Sequence, residues 1–238
     1  MSATVEIRRA HDRGVTTTDW LTSRHSFSFG DFYDPDNTHH GVLLVNNDDI
    51  VAPGAGFGTH AHRDMEIVTW VLDGALAHQD SMGNSGVIHP GLAQRMSAGT
   101  GVQHSEMNES ATQPVHFIQM WVTPDRSGID PGYQQREVAV TGELTPIASG
   151  IHGDAAITIH NDHAALHGAR MPAGDSVELP DAPYLHLFVA RGEVTVEGAG
   201  PMSDGDAVRF TGSGGQRVSA AAPAEILVWE MHAKLGGA

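Results

Sequence analysis

The chain has 238 residues, 40% hydrophobic and 18% charged, enough for one large β domain or two smaller ones with a packed core. Its 29 acidic residues against 13 basic ones give a formal charge of −16. That balance disfavours direct binding to nucleic acid or anionic lipid, since both are held largely by positive charge. From the start of the chain, residues 1–13 show no charged leader running into an apolar stretch. No segment approaches the ~20 apolar residues of a membrane helix, so a soluble cytoplasmic protein is expected. The absence of cysteine removes any disulfide framework or thiolate metal site.

Turn formers recur throughout and bound short apolar runs, which predicts many short strands and an all-β sandwich or barrel. Residues 26–29, Ser-Phe-Ser-Phe, alternate as a strand does, and 30–37 read as an ordered loop. Residues 41–45 form another expected strand, and the polar run Asn46, Asn47, Asp48, Asp49 reads as a turn. Residues 53–58 are a glycine-rich approach to His60. Residues 66–72 are a strong strand, closed by Asp73-Gly74, a hairpin signal that calls for positive φ. Residues 75–80 return, 86–91 turn again, and Gly99-Thr100-Gly101 leads into His104. After a strand at 116–122, residues 123–132 are the best linker candidate. Residues 162–169 are read as a short helix. Residues 185–196 repeat the strand–glycine–strand form of 66–76, a weak internal repeat.

Two pairs carry the chemistry. His60 and His62 flank Ala61, and His104 and Glu106 flank Ser105. On a strand, residues i and i+2 project to the same face about 7 Å apart. Three imidazoles and one carboxylate facing one another make a mixed N/O site for a first-row divalent metal, with positions left open for chemistry. Glu66 competes with Glu106 for the carboxylate role, because it shares the histidines' face if no turn intervenes. His78 and Asp80 share a strand face and either orient a ligand histidine or belong to a solvated hairpin. His25, His39, His40, His89 and His116 read as structural or exposed. His152, His160, His163 and His167 read as exposed, although His163 and His167 have a helical spacing that suits metal. Trp70 and Trp121 read as core.

Two stretches resemble cupin motifs: Gly54, His60, His62, Glu66 and Gly74 in the first, and Gly99, Gly101, His104 and Asn108 in the second. The match to the pirin family is more specific. It runs through residues 26–30, 60–69, 78–81, 83–84 and 98–107, covering much of the first half, while the second half is similar in outline. The resemblance implies a bicupin, two jelly-roll-like β-barrels in one chain. On that reading residues 1–130 form a metal-binding cupin, and 131–238 form a degenerate cupin without metal. It implies His60, His62, His104 and Glu106 as ligands of one divalent ion, Fe(II) first and other divalent transition metals as alternatives. It further implies a monomeric quercetin 2,3-dioxygenase, cleaving flavonols such as quercetin with O2. Glu106 is then the proton acceptor for the flavonol hydroxyl. The same ligands also serve an alternative, a non-catalytic iron-binding regulator that a partner protein reads by oxidation state.

Overall fold

The structure, a computed structural model, describes residues 3–236; the first two and last two residues lie outside it. The first strands are β1 (Thr4–Arg8), β2 (Gly14–Thr17), β3 (Leu21–His25), β4 (Leu43–Val51), β5 (Gly56–His62) and β6 (Glu66–Asp73). They are followed by β7 (Leu76–Asp80), β8 (Ser85–Ile88), β9 (Leu92–Ser97), β10 (Val102–Met107), β11 (Val115–Val122) and β12 (Gly132–Glu137). The later part holds β13 (Thr145–Ser149), β14 (Ile157–Thr158), β15 (Ala164–Met171), β16 (Ser176–Glu178) and β17 (Tyr184–Arg191). It ends with β18 (Glu193–Val196), β19 (Gly200–Ser203), β20 (Ala207–Thr211), β21 (Arg217–Ser219) and β22 (Ala224–Met231).

These strands make two cupin-like sandwiches rather than two closed barrels. In the first, a seven-stranded sheet ordered β12-β9-β6-β11-β4-β3-β2 faces the four-stranded sheet β5-β10-β7-β8. In the second, β1-β20-β17-β22-β15-β13-β14 faces β16-β21-β18-β19. The two large sheets pack on each other, with Trp70, Ile118 and Met120 of one against Phe188, Leu227 and Trp229 of the other. Their central strands are therefore buried on both faces: β6, β17 and β22 are buried over almost their whole length. The repeat expected from sequence is visible in the hairpins that leave β6 and β17. Gly74 (φ +76°) and Gly192 (φ +77°) hold equivalent corners, and an added Cβ would meet the carbonyl oxygens of Pro114 and Pro223.

Along the chain we keep the proposed division at residue 130, but in space two strands cross it. β1, from the chain start, is the outer strand of the second sandwich, paired to β20. β12, beyond the division, is the outer strand of the first, paired to β9.

Several local expectations are corrected. Residues 162–169 do not form a helix: most of them lie in β15, whose pairing with β13 and β22 overrides the helical leaning of its alanines. Residues 46–49 are not a turn but the middle of β4, and all four are buried. The strand expected at 26–29 ends at His25, after which Ser28 N–H donates to Asn37 O and Phe29 bridges Phe32. The 123–131 connection is tied down rather than loose, with Asp125 N–H on His160 O and Thr100 N–H on Ile129 O.

Candidate metal centre

β5 and β10 lie side by side, so His60 sits directly opposite His104, and His62 opposite Val102. Between His60 and Phe57 the strand carries two residues, Gly58 and Thr59, opposite the single Ser105 of β10. That bulge re-aims His60, a common device beside active sites. The rings converge: centroids are 4.4 Å apart for His60–His104, 4.9 Å for His60–His62 and 5.0 Å for His62–His104. One ring nitrogen from each lies within 4.8 Å of the others, as three donors on one ion require.

Hydrogen bonds behind the rings assign which nitrogen faces inward. His60 Nδ1–H donates to Gly58 O at 2.8 Å, leaving Nε2 as its lone-pair atom. His104 Nδ1 contacts His78 Nδ1 at 3.4 Å, and His78 Nε2 contacts Asp80 Oδ2 at 3.3 Å. Asp80 accepts from the backbone N–H of Met82 and Asn84 and from the Asn84 amide, so it stays an acceptor. A proton on His78 Nε2 therefore points at Asp80, and His104 Nδ1–H donates to His78. His104 Nε2 is left buried with no hydrogen-bond partner. An orphaned buried lone pair amid two more imidazoles fits a metal ion and little else. Burial, reinforced by neighbouring histidines, lowers His62 to about 4 and His104 to about 3, so both rings are neutral donors at ordinary pH. Tyr133 of β12 stacks on His78 at 4.8 Å, so the crossing strand also braces the site.

Glu106 lies two residues beyond His104 on the same strand, buried. Its two oxygens both accept from Gln119 Nε2 at 2.9 Å. Trp121 Nε1–H donates to Gln119 Oε1 at 3.1 Å, which fixes the amide's orientation. Burial pushes the Glu106 carboxyl up, and Gln119 and His60 pull only part of that back. Glu106 is not among the donors within 4.8 Å of one another. His60, His62, Glu106 and Gln119 line a cavity of about 310 Å³, walled by Phe29, Phe57 and Trp121. That volume falls at the lower end of small-molecule sites, roughly 300–1,000 Å³.

Glu66, the rival carboxylate, is elsewhere. The chain turns between His62 and Glu66 through Asp64, at φ +48°, and Glu66 opens a strand of the other sheet. It is fully buried there, accepting from Ser97 Oγ at 2.9 Å and from His160 N–H at 3.0 Å.

The pirin family model matches residues 6–122, and the model for the quercetinase C-terminal cupin domain matches residues 146–231. A quercetin 2,3-dioxygenase of Escherichia coli is 40% identical over 207 residues, spanning 86% of this chain and 89% of that protein. This chain belongs to the pirin family. A Mycobacterium tuberculosis relative named "Putative quercetin 2,3-dioxygenase Rv0181c" is 68% identical over 240 residues, 99% of this pirin and 98% of that protein. The crystal structure of the bacterial pirin YhhW from Escherichia coli in complex with nickel(II) aligns with a TM-score of 0.90 at 35% identity. That alignment covers 97% of this chain and 100% of the other.

Several residues of this pirin depart from what their sequence context suggested. His25, read as structural or exposed, is buried and held by Thr16 Oγ1 at 2.8 Å and Asn47 Oδ1 at 2.9 Å, and it also lines the cavity. Trp121 is a cavity wall, 4.9 Å from His62, while Trp70 is core at the sandwich interface. Asp49 was missed altogether. It lines the same cavity, and burial, with Asp48 and Glu106 nearby, pushes its carboxyl up to about 7. The signal for it was absent, because a run of Asn and Asp reads as a turn until its distant partners are known. His167 is buried rather than exposed, and it meets His152 and Glu230 in a group the strand spacing does not disclose.

Proposed function

We propose that this pirin is a metal-dependent dioxygenase that cleaves flavonols with O2. His60, His62, His104 and Glu106 hold one ion, Fe(II) by preference, and Glu106 accepts the proton of the substrate hydroxyl. The observation that carries the proposal is the convergence of three histidine donors, His60 and His104 each with Nε2 turned inward, beside an aromatic-lined cavity that His60 and His62 line. The relatives' names point to the same substrate class. When bound, the ion supplies a Lewis-acid, redox-active centre for an ionised hydroxyl and O2.

The chain's own residues do the rest. Phe29, Phe57 and Trp121 offer apolar faces to a flat aromatic ring and keep water from it. Glu106, raised above an ordinary carboxylate, is a stronger base than an exposed glutamate. The Trp121–Gln119–Glu106 chain of hydrogen bonds holds its oxygens in place. Asp49, titrating near neutrality on the same wall, is a second place for a proton to rest.

The test compares the two carboxylates on one preparation, measuring bound metal and oxygen uptake on a flavonol panel. Glu106→Gln keeps shape and loses charge; it should weaken metal binding and cut turnover per bound ion by about 100-fold or more. Glu66→Gln should leave turnover per bound ion near wild type, because Glu66 is absorbed by Ser97 and His160. A Glu66→Gln protein stripped of metal, beside a Glu106→Gln protein with metal and turnover intact, would overturn the ligand assignment.

A further inference from the structure

The second half of the chain was expected to be metal-free, because it carries no His-x-His pair. Its large sheet gathers other donors. His167 on β15 and Glu230 on β22 sit diagonally across a paired register, His167 opposite Val228 and Glu230 opposite Ala165. His152 reaches in from the loop after β13. His167 Nε2 lies 2.8 Å and His152 Nε2 3.0 Å from the same oxygen, Glu230 Oε2. The donor atoms of all three lie within 4.8 Å of one another. His232 Nε2 takes the other oxygen, Glu230 Oε1, at 2.8 Å.

The internal repeat says where this group is. Trp121 pairs with Ile67, six residues before the Asp73 corner, and Glu230 pairs with Leu185, six before the Arg191 corner. Glu230 thus occupies in the second sandwich the position of Trp121 in the first. Val45 lies opposite Trp121 and Asn47 is two residues on; Ala165 lies opposite Glu230 and His167 is two residues on. His167 is therefore the counterpart of Asn47. Asn47 and Trp121 both line the first cavity. The second group stands at the same end of its own sandwich, with its donors moved from the small sheet to the large one.

We infer that His152, His167 and Glu230 form a second divalent-metal site in this chain, for a first-row ion such as Zn(II) or Ni(II). Two imidazoles and one carboxylate are a neutral-pH donor set for such ions and leave positions open. His232, on the far carboxylate oxygen, orients Glu230 as outer partners of metal ligands do. His152 and His232 are partly exposed, with side chains at 36% and 38%, which gives an ion a way in. An ion between the donors would replace the imidazole protons that now bridge to Glu230. This inference does not depend on the flavonol reading of the first site.

The experiment uses the full chain, stripped with chelator, then dialysed against Zn(II) and separately Ni(II), with bound metal counted by elemental analysis. Wild type should take up two ions per chain. The His152→Ala/His167→Ala protein should take up one, and so should the His60→Ala/His104→Ala protein, each losing a different ion. His152→Ala alone, which removes only a partly exposed loop side chain, should weaken the second ion at least 10-fold while circular dichroism stays native. Uptake of a single ion by wild type, or two ions still bound by the His152→Ala/His167→Ala protein, would overturn the site.

Discussion

His104 shows how much of a proposed metal ligand lies behind it. Its inward nitrogen keeps its lone pair because the other, Nδ1–H, donates to His78, which Asp80 in turn orients. His78→Ala should weaken divalent-metal binding by about 10- to 100-fold in competition titrations, and His78→Gln, which restores an acceptor, should recover part of it. Equal affinities for the three proteins would show that His104 is oriented without His78. The sequence displayed the candidate pairs plainly, because i, i+2 spacing on a strand needs no knowledge of the fold; of the four, the structure brings the three histidines together. The sequence concealed Asp49, Asn47 and Gln119. Each is a polar residue inside a strand, stabilised by partners far along the chain. Asn47 meets His25 and faces the cavity with Asp49, while Asp48 meets Arg13 and His116 on the strand's opposite face, so what looked like a turn is a buried polar strand. His167 was hidden for the same reason, since His152 and Glu230 are distant in sequence.

At the scale of elements, the strands richest in Val, Ile and Leu were legible, and so was the repeat of β6 in β17. Their shared corner is what kept the repeat recognisable. Gly74→Ala and Gly192→Ala each force a side chain into left-handed backbone and against a carbonyl oxygen, so each should cost about 1–3 kcal/mol in denaturant unfolding. Gly153→Ala, where an added Cβ meets nothing within 4 Å and φ is not positive, should stay within about 0.5 kcal/mol of wild type. If the three proved alike, the corners would not be strained. The helix expected over 162–169 failed because local preference lost to pairing on both sides. The strand expected at 26–29 failed because its Ser-Phe alternation serves a loop that folds back over the cavity through Phe29.

For the whole molecule, buried histidines set the response to acid. Burial lowers His40 to about 4 and His186 well below 6.5, and in metal-free protein His62 and His104 lie near 4 and 3. The unfolded chain protonates these groups first, so their contribution is flat above about 6.5 and stability is lost as pH falls from there toward 4. Asp49 acts oppositely: raised to about 7, it stabilises the fold at low pH and loses that as pH rises. Glu230 joins the histidines. Burial alone would raise it, but hydrogen bonds from His167, His232 and His152 hold it at about 2, so its contribution fades below about 4.5. The histidines outnumber the raised carboxyls, and the midpoint of thermal unfolding of chelated protein should drop from pH 7 to pH 5. A midpoint that held or rose would mean the histidines are not neutral in the fold. The exchanged outer strands carry a different consequence. A sheet edge is a row of unsatisfied amides that invites association with other chains. Here each half supplies the strip that covers an edge of the other, β1 for β20 and β12 for β9. Neither half is a module that can be cut out, duplicated or lent to another protein without baring that edge. A second sandwich that had lost its part in the chemistry would still be retained as the guard of the first.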